Sequence, residues 1–214
     1  MRSIILISAA ILAFAPFAAA QSKQRTKRKP TPTPEVEDMV VKNGGSIDGK
    51  TYSNAALHLA FTLPNDWYFA GRDFEAALRK QGIDLSVSEN ERTKVLFTAF
   101  RSTPESKTSA VIRFVTEDIA DQPQIRDAVD YLDAVRNAYR TMRVPVDLKY
   151  GETDAEAIGG RQFAFLDIET RSAKKRMYVR LYKRSAVIMV ISYREAEDLA
   201  RFRRMLEDAD FGTQ

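Results

Sequence analysis

The sequence predicts an α+β fold: a three-layer α/β/α sandwich, with a mainly antiparallel sheet and helices on both of its faces. Three observations carry that expectation. Several stretches alternate apolar and polar residues and are joined by short turns, and short joints imply antiparallel neighbours. Two long segments carry an apolar stripe at helical spacing, and each stripe needs a face to cover. One run, "AVIMVISY" from Ala186 to Tyr193, is apolar without alternation. That is the pattern of a central strand buried on both sides.

The first residues stand apart from this fold. Met1-Arg2 is a short positive start, Ile4 to Phe17 is apolar, and Ala18-Ala19-Ala20 supplies small residues for cleavage. That layout predicts a secretory signal peptide over residues 1–20 and an extracytoplasmic, periplasmic or secreted protein. The apolar run is shorter than a membrane-spanning helix requires. The expected linker is residues 21–50. Its basic block, Lys23 to Lys29, is followed by Thr31-Pro32-Thr33-Pro34, which favours an extended spacer. The block can touch an anionic envelope surface, or simply keep the domain soluble and clear of the export machinery. The domain itself is expected over residues 51–214.

In that domain Tyr52 opens a short extended piece. Leu57, Leu59, Phe61 and Leu63 then alternate with His58, Ala60 and Thr62, which predicts a strand ended by Pro64. Trp67, the only tryptophan, follows the turn and is expected to pack its ring in the core. Asp73 can cap a short helix from Phe74 to Lys80, stopped by Gly82. "TKVLFTAF" and "SAVIRFV" read as a hairpin across the polar loop "RSTPESKT". Ile125, Ala128, Val129, Leu132, Val135, Tyr139 and Met142 line one side of a long helix, with Asp121 and Pro123 near its start. "ETDAEAI" and "RQFAFLDIET" form a second hairpin, because Gly159-Gly160 supplies the positive φ of a tight turn. "KRMYVRLYKR" alternates as a strand. Leu199, Phe202, Leu206 and Ala209 stripe a closing helix, Glu195 to Ala209.

Composition narrows the chemistry. There is no cysteine and one histidine, so thiolate metal sites and Cys nucleophiles are excluded, and His-based triads lack partners. The net charge of +4 lies mostly in the leader and linker, so the domain is nearly balanced and no nucleic-acid partner is expected. No cofactor, metal or catalytic residue is assigned. Glu152, Asp154 and Glu156 recur at every second position, which on a strand puts three carboxylates on one face; they read as a cation-binding ladder or as the solvated face of an edge strand. Asp127, Asp130 and Asp133 recur along the long helix beside Arg126, Arg136 and Arg140, a charge-paired wet face. The densest basic and aromatic patch is the strand with Lys174, Lys175, Arg176, Tyr178, Arg180 and Tyr182, the candidate partner-binding residues. His58 falls on the polar register of its strand.

Three segments resemble the PsbP-like proteins: "YSNAALHLAFTLPNDWYF", the Gly-Gly hairpin "AIGGRQFAF", and "AVIMVISY" with a terminal helix and "DADF". The resemblance runs over roughly Tyr52 to Phe211. It implies the three-layer sandwich and a binding or assembly role, as in the extrinsic photosystem subunit, a nuclear-transport factor that binds a small GTPase, and many bacterial exported domains. The simple leader differs from a thylakoid-type one, so no photosystem role is carried over. The expected function is therefore a non-catalytic exported interaction module, a monomer that docks to a protein or anionic envelope component. A metal-dependent or carboxylate-based hydrolase and a carrier of a small apolar ligand are the alternatives.

Overall fold

The computed structural model describes residues 45–71, 91–101, 110–141, 148–169 and 174–212. Ten strands and two α-helices follow one another along these segments. They are β1 (Ser46–Asp48), β2 (Thr51–Asn54), β3 (Leu59–Thr62), β4 (Trp67–Phe69), β5 (Thr93–Arg101), β6 (Val111–Asp118), α1 (Ala128–Thr141), β7 (Lys149–Ile158), β8 (Arg161–Glu169), β9 (Lys174–Tyr182), β10 (Ser185–Tyr193) and α2 (Ala196–Asp208). The fold class is α+β, and every strand pairing is antiparallel. The signal-peptide residues, the basic linker block, the expected Phe74–Lys80 helix and the "RSTPESKT" loop after its first residue, Arg101, lie outside the described residues.

The strands divide into two sheets rather than one. A small sheet runs β1-β2-β3, and a large one runs β4-β5-β6-β10-β9-β8-β7. The unbroken apolar run of β10 occupies the middle of the large sheet, as its composition requires. Its alternate residues enter different cores. Val187, Met189, Ile191 and Tyr193 join a cluster with Phe202 and Leu206 of α2 and with Tyr52, Leu59 and Phe61 of the small sheet. Ala186, Ile188 and Val190 join a second cluster with Leu132, Val135 and Tyr139 of α1. The first core is aromatic: Phe97 stacks on Phe114 at 4.5 Å, and Phe61 meets Phe114 at 4.6 Å. A bulge between Val95 and Phe97 brings both Leu96 and Phe97 into it. Trp67 is fully buried there, as expected of a large apolar ring.

Four boundaries differ from the sequence pattern. The strand expected from Leu57 begins at Leu59, because Asn54 caps a short 3₁₀ turn, Ala55–Leu57, by accepting from the Leu57 N–H at 3.1 Å. His58 closes that turn in the left-handed region (φ 47°, ψ 46°), so it is not on the polar register of a strand. Trp67 does not merely follow a strand; it opens β4, paired with Arg101. Helix α1 starts at Ala128 rather than near Pro123. Asp127 accepts from the Asp130 N–H at 2.8 Å, while Asp121 is ion-paired with Arg92. Strand β1 also lies within the stretch expected to be linker.

The two sheets are tied together by the end of the chain. Asp210 and Ala60 exchange backbone hydrogen bonds of 2.7 and 2.9 Å, so the segment after α2 extends the edge of β3. Gly212 (φ 62°) makes this approach possible. A Cβ there would lie 2.6 Å from the Cβ of His58. The Gly159-Gly160 turn has φ of 56° and 75°, as a two-residue hairpin needs.

Candidate functional site

The basic strand β9 is laid across the middle of the sheet, between β10 and β8, so its residues meet acids from neighbouring strands. Lys174 is exposed at its start, and Lys175 is buried on the α1 side. Burial pulls the Lys175 ammonium down to about 7. Arg176 and Tyr178 point to the other face. Asp167 of β8 accepts both Nε and Nη2 of Arg176, at 2.7 and 2.6 Å, a bidentate pair. The Phe165 ring lies 4.2 Å below the same guanidinium. Glu156 of β7 accepts from the fully buried Tyr178 hydroxyl at 2.6 Å, and also meets Arg176 at 3.4 Å and Arg203 of α2 at 2.5 Å. Burial opposes the charge on Arg176, but its bonds to Asp167 and Tyr178 outweigh that and hold the guanidinium firmly protonated.

The end of β9 is different. Arg180 donates Nη1 to the Phe211 carbonyl at 3.1 Å. Its guanidinium stands 5.5 Å from the Phe211 ring, and that of Arg161, at the start of β8, stands 5.8 Å from the same ring. Burial and the neighbouring Arg161 charge both push Arg180 below its ordinary value. Among the described residues no carboxylate pairs with either arginine. Tyr182 lies 5.5 Å from the His58 ring, and the Lys183 ammonium stands 5.1 Å over Tyr182. Lys183 is itself in the left-handed region (φ 53°), as are His58 and Gly212. The two non-glycine positions with positive φ among the described residues, His58 and Lys183, thus both adjoin Tyr182 in one basic, aromatic corner.

The carboxylate ladder does not form. The register of β7 shifts between Tyr150 and Thr153. Residues on either side of a bulge lose their common alternation, so Tyr150 faces the α1 core while Ile158 faces the α2 core. Glu152 accordingly reaches Arg136 of α1 at 2.5 Å, whereas Glu156 reaches Arg203 of α2. Asp154 accepts from the next backbone N–H at 2.7 Å. Among the described residues no cluster of three or more His, Asp or Glu side chains is arranged to hold a metal ion. The α1 acids are ion-paired as their spacing implies: Asp130 with Arg126 at 2.9 Å, and Asp133 with Arg136 at 3.7 Å.

Two polar groupings escaped the sequence pattern. Arg101 of β5 joins Asp66 at 3.0 Å to Asp198 of α2 at 2.6 Å, and Arg201 also reaches Asp66 at 2.8 Å. Glu117 is buried under α1 and accepts from the Tyr131 hydroxyl at 2.6 Å. Burial raises this carboxyl against the pull of Tyr131 and Gln122. Arg161 was missed as well, for it lies outside the basic run. The only signal was its place directly after the Gly-Gly turn, beside whatever the neighbouring strand presents.

No family model and no curated protein matches the chain. Solved structures do. One is the crystal structure of a protein from Bacteroides thetaiotaomicron VPI-5482, with 8% identity and a TM-score of 0.43 over 78% of this chain. This chain spans 50% of that protein's length. Another is the solution structure of cyanobacterial PsbP (CyanoP) from Synechocystis sp. PCC 6803, with 16% identity and a TM-score of 0.41, covering 77% of this chain and 93% of that one. At these values the likeness concerns the course of the fold alone. A solved PsbP stands among the structures this chain is similar to.

Proposed function

We propose that this chain is a non-catalytic, exported interaction module that docks to an envelope partner through the basic, aromatic end of β9. The carrying observation is the pair Arg161 and Arg180. Two like charges are held around one buried ring, and among the described residues neither is ion-paired to a carboxylate. Such an arrangement is electrostatically incomplete, and an anionic partner completes it. Lys183 and Tyr182 extend the surface next to it. Export rests on the signal-peptide layout of residues 1–20. No helix of the described residues is long and apolar enough to cross a membrane. In the same proposal the large sheet is a middle layer, with α1 on one face and α2 with the small sheet on the other. The alternating core membership of β10 supports that reading.

The hydrolase alternative loses its ladder, since Glu152 and Glu156 are drawn to different helices. Site-specific photo-cross-linking tests the docking surface. A photoreactive residue in place of Lys183, in the producing cell, should give one discrete adduct. The same residue in place of Asp133, on the wet face of α1, should not. A bare Lys183 lane alongside a correctly exported protein would end this reading.

A further inference from the structure

The strand β9 carries a finished and an unfinished version of one arrangement. In the finished version the Arg176 guanidinium lies over the Phe165 ring at 4.2 Å, and Asp167 grips it through both carboxylate oxygens at 2.7 and 2.6 Å. In the unfinished version Arg180 and Arg161 lie around the Phe211 ring at 5.5 and 5.8 Å. The ring is in place and the cations are doubled, but among the described residues the acid is missing. Alternation along the strand puts Arg176 and Arg180 on the same face.

We infer that Arg161 and Arg180 form a seat for a single carboxylate from an acidic peptide segment of a partner protein, received as Asp167 is received by Arg176. This deepens the docking reading and rests on it. The planar fork of a guanidinium matches a carboxylate through two parallel N–H bonds. Arg180 has one Nη committed to the Phe211 carbonyl, which fixes its plane and leaves the rest of the fork to donate. Arg161 is set by the Gly159-Gly160 turn. A Cβ on Gly159 would meet the Glu207 carbonyl at 3.0 Å and Arg161 Nη1 at 3.4 Å, which places the Arg161 guanidinium beside the turn and the end of α2. The corner is partly buried, where an ionic contact is screened less than on an open surface. Lys183 and Tyr182 beside the seat offer a second cation and a flat ring to the residues that flank the carboxylate.

The test uses the full chain and an N-acetylated, C-amidated penta-aspartate peptide, titrated at low ionic strength and followed by calorimetry and by the side-chain Nε–H signals of the arginines. The peptide should bind and shift the Arg180 and Arg161 signals while leaving Arg176 in place. Arg161→Gln should weaken binding roughly tenfold, the scale of one charge-assisted pair. Arg161→Lys should fall between the two, keeping the charge but losing the fork. Arg203→Gln, which sits beside Glu156, should leave the affinity unchanged. Unchanged binding in a folded Arg161→Gln variant overturns the inference. So does inorganic phosphate displacing the peptide at equal charge concentration, since the seat would then be a phosphate seat. In either event a persisting Lys183 cross-link keeps the docking reading alive, and its disappearance removes both.

Discussion

Arg176 and Arg180 share a strand, a face and an aromatic neighbour each, yet one is locked to acids and the other is held against a like charge. The difference lies in what the adjoining strands place opposite them. Beside Arg176, β8 offers Asp167 and β7 offers Glu156. Beside Arg180, β8 offers Phe163 and Arg161, and the chain end offers Phe211. A cation in a sheet is thus structural or available according to its neighbours, and its own sequence context does not decide which.

Four experiments sharpen that contrast. The largest effect is expected at Phe211, which is 4% exposed and serves both arginines of the open corner. Phe211→Ala should cost about 3–5 kcal/mol in urea unfolding, through the cavity it leaves. A loss under 1 kcal/mol would show that the corner collapses freely. Lys175 comes next, as the cation of β9 on the opposite face. Its folded value of about 7 lies below the ordinary 10.5, so the folded state binds fewer protons than the unfolded one between those limits. Stability should therefore rise as pH increases from about 7 towards 10.5, by a few kcal/mol in order of magnitude, and the rise should vanish in Lys175→Met. A flat profile in the unaltered protein would contradict it.

Glu156→Ala follows. It strands the buried Tyr178 hydroxyl and removes acceptors from Arg176 and Arg203, at about 1–3 kcal/mol. Smallest is Arg161→Gln, which relieves the repulsion at Arg180. Its stability should stay within about 0.5 kcal/mol of the parent, on the favourable side, with the gain fading as salt is added. Destabilisation there would mean that Arg161 is structural, as Arg176 is.

The parts legible in the sequence were those fixed by local chemistry. The run Ala186–Tyr193 marks a central strand because its apolar residues do not alternate with polar ones. Gly159-Gly160 marks a turn because few other residues take two successive positive φ angles. The stripes of α1 and α2 mark faces, although Asp127 rather than Pro123 starts the first helix. What stayed hidden depends on register. The bulge in β7 sends Glu152 and Glu156 to different helices, and period-2 counting cannot show an extra residue. The basic strand was visible as composition, but the commitment of Arg176 to Asp167 and Glu156 follows from which strands lie next to it. Arg161 entered the corner by the same route.

The fully buried Trp67 has a further consequence for observing this protein. It lies with the phenylalanines in the core that α2 and the small sheet close. The core beneath α1 holds tyrosines and aliphatic side chains but no indole. Intrinsic emission excited at the red edge therefore watches one half of the molecule and is blind to the other. If α1 peels away first on heating, amide exchange or ultraviolet circular dichroism will record the event while the tryptophan signal stays silent.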